Sequence, residues 1–502
     1  MAQMQDYLNA AQPSLDRVKA FYKDRELVVS DVVDVRGNQY VNLVQEGGGV
    51  LGVALVGYTY ILEQMGIRFM KMAGTSAGAI NTMVLACMGG KEEEKSIKVL
   101  ELIAKKNFFD FVDGHPTARY AIRNLITSKS FARNVTVASV ILVIALIVSL
   151  LVFMFQLGRD VQDFWYWFGV AFFAATWTAT IFMGFRFSYL YKRFLNADFG
   201  INPGTEFLNW VSNVLESNGI KNLNDLRRHI EKVPEGGFLL RREEDPEGLR
   251  DLNKPKLENF LTLVTSDVTN QMKVEFPRHW PLYWSDPTKI KPGYFVRASM
   301  AVPLFFEPFA IENIPRKDVY PVWQAMIGLD DPYLLPTSAK FVDGGIISNF
   351  PINVFYNPNV AVPRMPTFGI MLEAEVAPPR TDYNTLLSYA AAMFNTVRYN
   401  YDKEFLIKNA DFNKTIGRID VAGINWLNFN LTEDEKVDLF RRGAEAATAF
   451  LLGEDRNKPV SEAVQGTTEG EATREAGSAP VGGFNWDEYK NYRKNRKHTM
   501  GF

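Results

Sequence analysis

Ser76 stands in a run of residues that is typical of a nucleophile presented on a tight turn. The run is Gly74-Thr75-Ser76-Ala77-Gly78, with a glycine two residues away on each side of the serine. Apolar residues at 67–72 predict a strand before it, and residues 79–86 predict a helix after it. A strand-to-helix elbow leaves no room for a Cβ at the flanking positions and holds the hydroxyl clear of the backbone. The pattern indicates nucleophilic catalysis, and its simpler alternative is a glycine-rich turn whose serine caps the helix.

Upstream, three consecutive glycines could supply backbone hydrogen-bond donors to the same site. The run Gly47-Gly48-Gly49-Val50-Leu51-Gly52 follows a predicted strand at 41–45 and precedes a predicted helix at 54–65. Such a loop suits an oxyanion, because glycine lets the backbone approach a ligand closely and the helix N-terminus adds positive potential. We expect Gly47, Gly48 and Gly49 to form an oxyanion hole, with the N–H groups of the last two as its donors.

The same six residues also fit the Gly-x-Gly-x-x-Gly pattern of a dinucleotide site. That site needs an acidic residue roughly 20 positions further on, at the end of the second strand. In this chain the second predicted strand ends in Lys71-Met72-Ala73 and leads directly into the serine run, while Glu63 falls inside the predicted helix. The sequence therefore disfavours nucleotide binding, and it contains no Gly-Lys-Ser/Thr phosphate loop.

A carboxylate that could act as the base for Ser76 lies far along the chain. Asp343 is in the run Phe341-Val342-Asp343-Gly344-Gly345, which Asn349 and Pro351 follow. Apolar residues that lead into Asp-Gly-Gly place the carboxylate at the end of a strand, where such a base is wanted. An ordinary turn can have the same sequence, so this run indicates a catalytic aspartate only together with the serine run.

The histidines offer no obvious alternative base. The chain contains His115, His229, His279 and His498. None follows the pattern of the C-terminal histidine of an α/β-hydrolase, and we interpret each as a surface or packing residue. The two least readily excluded are His115 and His279.

The serine run, the glycine loop and the Asp-Gly-Gly run, in this order, resemble the patatin-like phospholipase family. Residues 297–306 resemble a further block of that family between serine and aspartate, and the resemblance extends over about 42–452 with interruptions. It implies a three-layer α/β/α catalytic domain in which Ser76 and Asp343 form a catalytic dyad in place of a triad. The supporting glycines that it implies are Gly52, Gly74, Gly78, Gly344 and Gly345. The family's loop usually carries a basic residue before its last glycine, where this chain has Leu51.

The composition is that of a folded protein. The chain has 502 residues, of which 47% are hydrophobic, and a formal net charge of −2. This near-neutral balance gives no indication of a nucleic-acid partner. Cys87 is the single cysteine, so no internal disulfide can form, and a reducing compartment is compatible with a buried thiol there. Residues 1–25 are polar and charged, which argues against a secretory signal.

Two uncharged apolar runs in the interior of the chain predict a transmembrane helical hairpin at 135–185. The first, at 135–158, has 24 residues, and the second, at 164–185, has 22 and carries Trp165, Tyr166 and Trp167 near its start. At about 1.5 Å per residue the first run reaches about 36 Å as a helix, which exceeds the ~30 Å of a bilayer's hydrocarbon core. Aromatic residues are enriched at the membrane interface. We therefore expect the hairpin to be inserted into the catalytic domain.

The flanking charges predict the orientation of this hairpin. Only residues 159–163 join the two runs, so both of its ends emerge on the same side, and the joining turn holds one arginine and two aspartates. The basic residues outside the hairpin are Arg119, Arg123, Lys129, Arg133, Arg186, Lys192 and Arg193. Because basic residues favour the cytoplasmic side, we expect a membrane protein with two spans and a cytoplasmic catalytic domain.

The sequence thus divides into five predicted segments. A helical N-terminal extension at 1–40 precedes the first part of the catalytic domain at 41–134. The hairpin at 135–185 is followed by the second part of the catalytic domain at 186–452. The composition of 453–502 predicts a disordered tail with a basic, aromatic end that could contact anionic lipid.

Together these features predict a membrane-anchored serine hydrolase that cleaves fatty-acyl esters of lipids or phospholipids through an acyl-enzyme. Its expected partners are a lipid substrate and the membrane, with no nucleic acid, no metal and no organic cofactor. One alternative is a catalytically weak lipid-binding or acyl-transferring membrane scaffold of the same fold. A transporter subunit is disfavoured, because the two apolar runs carry no ionisable residue at mid-depth.

Overall fold

The computed structural model describes residues 3–127, 131–156, 164–241, 252–360, 362–373, 389, 392–393, 396, 402–454 and 483–499. The helices are α1 (Met4–Phe21), α2 (Gly52–Gln64), α3 (Ala77–Cys87), α4 (Ser96–Lys105), α5 (Pro116–Thr127), α6 (Phe131–Gln156), α7 (Phe164–Asn196), α8 (Thr205–Ser217), α9 (Leu223–Ile230), α10 (Leu257–Phe260), α11 (Gly293–Ser299), α12 (Arg316–Ile327), α13 (Glu433–Leu452) and α14 (Trp486–Thr499). The strands are β1 (Val32–Val33), β2 (Gln39–Gln45), β3 (Ile67–Thr75), β4 (Leu239–Leu240), β5 (Leu261–Asp267), β6 (Met272–Phe276), β7 (Phe309–Ile311), β8 (Ala339–Asp343), β9 (Thr367–Glu373) and β10 (Ile416–Asp420).

The chain forms two compact units. The first consists of Met1–Phe109, Glu206–Ala301 and Pro308–Phe502, and the second of Asp110–Thr205 and Val302–Glu307. The second unit therefore begins before the predicted hairpin at 135–185 and ends after it.

In the described part of the first unit, ten strands form one mixed sheet flanked by helices. Its main order is β10-β9-β2-β3-β5-β8-β7, with β6 paired to β5 and with β1 joining β2 to β4. The five strands from β10 to β5 are parallel, whereas β6, β7 and β8 run antiparallel to their neighbours. All seven residues of β5 and all but one in each of β2 and β3 are buried. Such burial explains why the central strands read as nearly continuous apolar runs in the sequence.

Two helix starts match the capping signals in the sequence. Thr432 caps α13: its hydroxyl accepts the N–H of Glu435 at 3.2 Å, and the Glu435 carboxylate accepts the N–H of Thr432 at 2.7 Å. Asn222 caps α9 in the same reciprocal way with Asp225. These exchanges satisfy backbone donors that the first turn of a helix leaves without partners. Helix α13 packs against α2 and α1.

The C-terminal residues differ from the predicted disordered tail at 453–502. Residues 455–482 lie outside the described residues, but α14 is a helix whose first residue, Trp486, has no solvent exposure. Lys490 pairs with Asp31 at 2.8 Å, and Arg493 pairs with the buried Asp411 at 2.6 Å. The basic end is therefore partly a docked helix, because aromatic burial and these ion pairs outweigh its polar composition.

The second unit contains two helices long and apolar enough to cross a membrane. Within α6 and α7 the candidate spans are Arg133–Phe155 and Phe164–Asn196, and only 6% of the most apolar stretch of each is buried. The helices contact each other through the stacked rings of Phe153 and Phe173, whose centroids lie 4.4 Å apart. The predicted joining turn, including Gln162, lies outside the described residues.

Hydroxyl groups on these helices are satisfied within their own helix. Ser139 donates to the carbonyl of Val135 at 2.8 Å, and Thr176 donates to that of Phe172 at 2.7 Å. Thr180 makes the same bond one turn further along. In hydrocarbon no water could take these bonds, so this pattern suits a lipid environment as well as an aqueous one.

Candidate functional site

Ser76 occupies a strained elbow between β3 and α3. Its φ is 52° and its ψ is −118°, a conformation that residues with a side chain rarely adopt. Its hydroxyl makes no capping hydrogen bond to α3, although Ser76 is the N-cap residue. The elbow therefore does not correspond to the simpler alternative of a helix-capping serine.

The two glycines of the serine run are required by close backbone contacts. A Cβ placed on Gly74 would lie 2.4 Å from the carbonyl group of Gly78. A Cβ on Gly78 would lie 2.3 Å from the carbonyl oxygen of Gln45, at the end of β2. Both distances are far below van der Waals contact, so only glycine fits at either position. The elbow is pressed against the end of β2, which brings Ser76 to the glycine loop.

A second serine holds the backbone of the elbow. The N–H of Ser76 donates to Ser299 Oγ at 3.0 Å, and Ser299 Oγ donates to the carbonyl of Val264 at 2.6 Å. Ser299 is fully buried at the end of α11. Its hydroxyl thus bridges β5 and Ser76 at the point where β3 turns away from the sheet.

Asp343 is the last residue of β8, which approaches the end of β3 from the opposite direction. Strand β6 pairs with β5 along Leu263–Asp267, which leaves the other edge of β5 to both β3 and β8. On that edge Thr75 pairs with Val264, and Asp343 pairs with Thr265. The ends of β3 and β8 therefore face each other along this edge, and Ser76 is the residue that follows β3.

Asp343 is held by its own backbone environment. Its Oδ1 accepts the N–H of Gly345 at 2.7 Å, and its N–H donates to the carbonyl of Ala301 at 2.8 Å. Only 6% of the residue is exposed. A Cβ on Gly344 would lie 2.2 Å from the carbonyl oxygen of Val264, so the chain turns tightly against β5 after the aspartate.

The glycine loop lies directly against the serine. A Cβ on Gly47 would lie 3.1 Å from Ser76 Cβ. The N–H of Gly47 donates to the carbonyl of Asn349 at 3.0 Å, and Asn349 Nδ2 donates to the carbonyl of Gly47 at 3.1 Å. Asn349 Nδ2 also donates to Glu46 Oε1 at 2.9 Å. This exchange fixes the start of the loop beside Ser76.

The next two glycines differ from Gly47 in their hydrogen bonding. None of the hydrogen bonds among the described residues uses the N–H of Gly48 or Gly49. Gly49 has a φ of 55°, and a Cβ there would lie 2.2 Å from the carbonyl oxygen of Trp426. That carbonyl instead accepts the N–H of Val50 at 3.0 Å. Gly52 begins α2, and a Cβ on it would lie 3.1 Å from that of Ala77.

The turn at residues 348–350, after Asp343, makes hydrogen bonds to several parts of the site. Thr75 Oγ1 donates to the carbonyl of Ser348 at 3.0 Å. Asp402, in the helical segment 402–408, accepts Ser348 Oγ at 2.8 Å and the N–H of Phe350 at 2.9 Å. Burial raises the pKa of the Asp402 carboxyl to about 6.

The sequence did not reveal Ser299 or Asp402 as parts of the site. Ser299 lies in the block 297–306, which carried the family resemblance without a role for its serine. Asp402 lies in a polar stretch with no motif. Asn349 had a weak signal, since it follows the Asp-Gly-Gly run at a short distance.

Two of the four histidines are engaged away from Ser76. His279 Nδ1 accepts the N–H of Glu275 at 3.0 Å, and burial lowers the pKa of the imidazole. His229 Nε2 lies 3.2 Å from the carbonyl oxygen of Gly89, and burial lowers its pKa too. His115 belongs to the second unit. In the part of the chain that the structure describes, no group of three or more His, Cys, Asp or Glu could hold a metal ion.

Comparison with known proteins identifies a family and several similar individual proteins. The profile of the patatin-like phospholipase family matches residues 43–356. The uncharacterized protein YqhO of Bacillus subtilis (strain 168) is 22% identical over 413 residues, which cover 82% of this chain and 98% of that protein. The crystal structure of VipD from Legionella pneumophila is similar with a TM-score of 0.34 and 15% identity, over 86% of this chain and 72% of that one. The last similarity is too weak to support conclusions about this chain.

Proposed function

The chain belongs to the patatin-like phospholipase family, and from this premise we propose that it is a membrane-anchored serine hydrolase of fatty-acyl lipid esters. The observation that supports the proposal is that Thr75, the residue before Ser76, and Asp343 pair with consecutive residues on one edge of β5. A hydroxyl on a strained elbow beside a buried carboxylate is the arrangement that nucleophilic attack on an ester needs.

In the proposed reaction, Asp343 takes the proton of the Ser76 hydroxyl while Oγ attacks the ester carbonyl carbon. The tetrahedral intermediate collapses, the C–O bond to the alcohol breaks, and the alcohol leaves with the proton from Asp343. Water then gives a proton to Asp343 and its oxygen attacks the acyl-enzyme. Release of the fatty acid returns the proton to Ser76 Oγ.

We assign the oxyanion hole to the glycine loop of Gly47–Gly49. The N–H groups of Gly48 and Gly49 are the proposed donors, because they make no hydrogen bond among the described residues and lie next to Gly47, which contacts Ser76. Preorganised backbone donors stabilise a developing oxyanion without reorganisation during the reaction. Gly52, Gly74, Gly78, Gly344 and Gly345 support this geometry in the proposal.

We further propose that α6 and α7 anchor the protein as a transmembrane hairpin with the catalytic domain in the cytoplasm. Support comes from their exposed apolar surface and from the basic residues that flank them. The catalytic domain would be a three-layer α/β/α assembly built from 41–134 and 186–452, after an N-terminal extension at 1–40. A membrane anchor would give the enzyme continuous access to lipid substrate.

Reaction with a fluorophosphonate probe and a lipid product analysis test this function. The wild-type protein should be labelled at Ser76 and should release free fatty acid from total membrane lipid, and Ser76→Ala should do neither. Binding of lipid without labelling would identify the catalytically weak scaffold. Transfer of the acyl group to an alcohol, with little free fatty acid, would identify an acyltransferase.

A further inference from the structure

The buried carboxylate of Asp402 faces the turn at residues 348–350, which follows Asp343. Only 7% of the residue is exposed. One carboxylate oxygen accepts Ser348 Oγ at 2.8 Å, and the other accepts the N–H of Phe350 at 2.9 Å. The backbone of Asn349, between these two residues, also favours the ionised carboxylate. Asp402 therefore holds both residues that flank Asn349 in this turn.

This turn makes hydrogen bonds to two parts of the proposed catalytic site. The carbonyl of Ser348 accepts Thr75 Oγ1, one residue before the nucleophile. Asn349 exchanges hydrogen bonds with Gly47 through its backbone carbonyl and its side-chain amide. A shift of the turn would therefore move both the serine elbow and the start of the oxyanion loop.

We propose that Asp402 is a positioning residue of the proposed hydrolase, and that its ionised form is required to hold the turn in the active geometry. An ionised carboxylate accepts hydrogen bonds at both oxygens, which matches the donors that face it. A protonated carboxyl presents one hydroxyl, which must itself donate. Protonation on Oδ2 puts a donor opposite the N–H of Phe350, and protonation on Oδ1 reverses the bond with the Ser348 hydroxyl. Either form also loses the charge that strengthens both bonds, so the turn is held less firmly. The inference rests on the proposed function.

Burial and the neighbouring charges place the protonation of Asp402 in a pH range in which activity can be measured. Burial raises its pKa to about 6, although its hydrogen bonds and the charge of Lys273 favour the ionised form. Lys273 pairs with Glu275 at 2.8 Å, and Glu46 lies on the other side of Asn349. On its own helical segment Asp402 is followed by Lys403 and by Glu404, which pairs with Lys408.

Protonation of Asp402 should have opposite effects on stability and activity. Its pKa is raised in the folded state, so the stability that it contributes is present at low pH and is lost as pH rises through about 6. The proposed activity instead rises with pH through the same range, because the ionised form holds the turn. A residue that only stabilised the fold would not separate these two quantities.

The test compares wild type with Asp402→Asn and with the control Glu404→Gln, an exposed change two residues away. With a soluble short-chain ester, Asp402→Asn should lower kcat by about 10- to 100-fold at pH 8, the scale for a misplaced catalytic group, and change KM little. It should also lose the acid limb near pH 6, and its Tm at pH 8 should equal or exceed that of wild type. Glu404→Gln should match wild type in all three. A lower Tm with an unchanged kcat and pH profile would overturn the proposal.

A second variant tests the proposal even if Asp402→Asn does not fold. Ser348→Ala removes one hydrogen bond that favours the ionised carboxylate, so it should move the acid limb of kcat to higher pH. An unmoved limb would refute the role of Asp402. Fluorophosphonate labelling separates this failure from failure of the proposed function. If the wild-type protein is labelled at Ser76, the proposed function stands and only the role of Asp402 is refuted. If it is not labelled, both proposals are refuted.

Discussion

Ser76 and Asp343 come from strands that approach each other along the same edge of β5, with Thr75 opposite Val264 and Asp343 opposite Thr265. Strand β3 arrives parallel to β5 and β8 arrives antiparallel to it. The end of β3 that leads into Ser76 and the end of β8 that carries Asp343 therefore lie next to each other, although these two strands do not pair with each other. Strand β5 therefore fixes the positions of both strand ends.

The proposed dyad predicts a non-additive loss of activity. Ser76→Ala and Asp343→Asn should each remove nearly all ester hydrolysis, and the double variant should lose little more, because the two residues act on one proton. Steady-state hydrolysis of a soluble ester measures this. His279→Ala is the matched control and should stay active. An active Asp343→Asn with an inactive His279→Ala would replace the dyad with a histidine base.

The oxyanion loop predicts a large effect at Gly49. Gly49→Ala should lower kcat by roughly 10²-fold or more, the scale for losing one such donor, because a Cβ there would lie 2.2 Å from the carbonyl of Trp426 and would displace the loop. The same contact should also lower the Tm. Gly66→Ala is the control: Gly66 has a comparable positive φ of 76°, but a Cβ there meets nothing within 4 Å. Equal kcat values for the two variants would contradict the assignment of the loop.

The hydroxyl bridge predicts that Ser299 supports both stability and turnover. Ser299→Ala removes the partner of the Ser76 N–H and of the Val264 carbonyl. Two buried polar groups then lose a hydrogen bond, so the free energy of unfolding should fall by about 2 kcal/mol or more, and kcat should fall as well. Ser30→Ala provides the comparison, since Ser30 is buried and accepts the N–H of Val32 at 3.1 Å away from the site. Ser30→Ala should lose stability alone. A Ser299→Ala protein with unchanged kcat would show that the bridge does not position the nucleophile.

The hairpin predicts membrane residence and a defined orientation. The protein should resist carbonate extraction, and a cysteine at Gln162 should react with a reagent on the non-cytoplasmic side, whereas one at Glu92 should not. Replacing residues 134–185 by a short Gly/Ser linker should release a folded enzyme that still cleaves a soluble ester but works poorly on bilayers. Recovery of the full-length protein in the soluble fraction without detergent would refute the anchor.

The docked helix α14 predicts a stability effect near the C-terminus. Arg493 pairs at 2.6 Å with Asp411, whose side chain is only 1% exposed. Arg493→Ala should lower the free energy of unfolding by about 3 kcal/mol, because it removes the cation opposite a buried carboxylate. Lys494→Ala, an exposed change on the same helix, should have little effect in the same urea titration. Equal midpoints for the two variants would show that this pair does not hold the helix.

The central strands and the serine elbow could be predicted from the sequence because both depend on local pattern. Buried parallel strands must be apolar, and a tight elbow needs glycine on both sides of Ser76. The helix start at Thr432 likewise depends on a short-range capping pattern.

Other parts of the site depend on tertiary contacts that no local pattern encodes. Nothing in the residues around Ser299 specifies that its hydroxyl meets a strand end more than 200 positions earlier in the chain. The role of Asp402 depends on which turn packs against it. Helix α14 is polar in composition, and its docking is decided by the burial of Trp486 and by two acidic partners, Asp31 near the start of the chain and Asp411 in its later part.

The shared edge of β5 also gives the fold freedom in the length of the chain between β3 and β8. Because the ends of β3 and β8 both pair with β5, the chain between Ser76 and Asp343 can lengthen without altering the register of either strand. The second unit, largely Asp110–Thr205, lies in the chain between β3 and β5. A change in the length of this segment would leave the pairing of both strands with β5 in place.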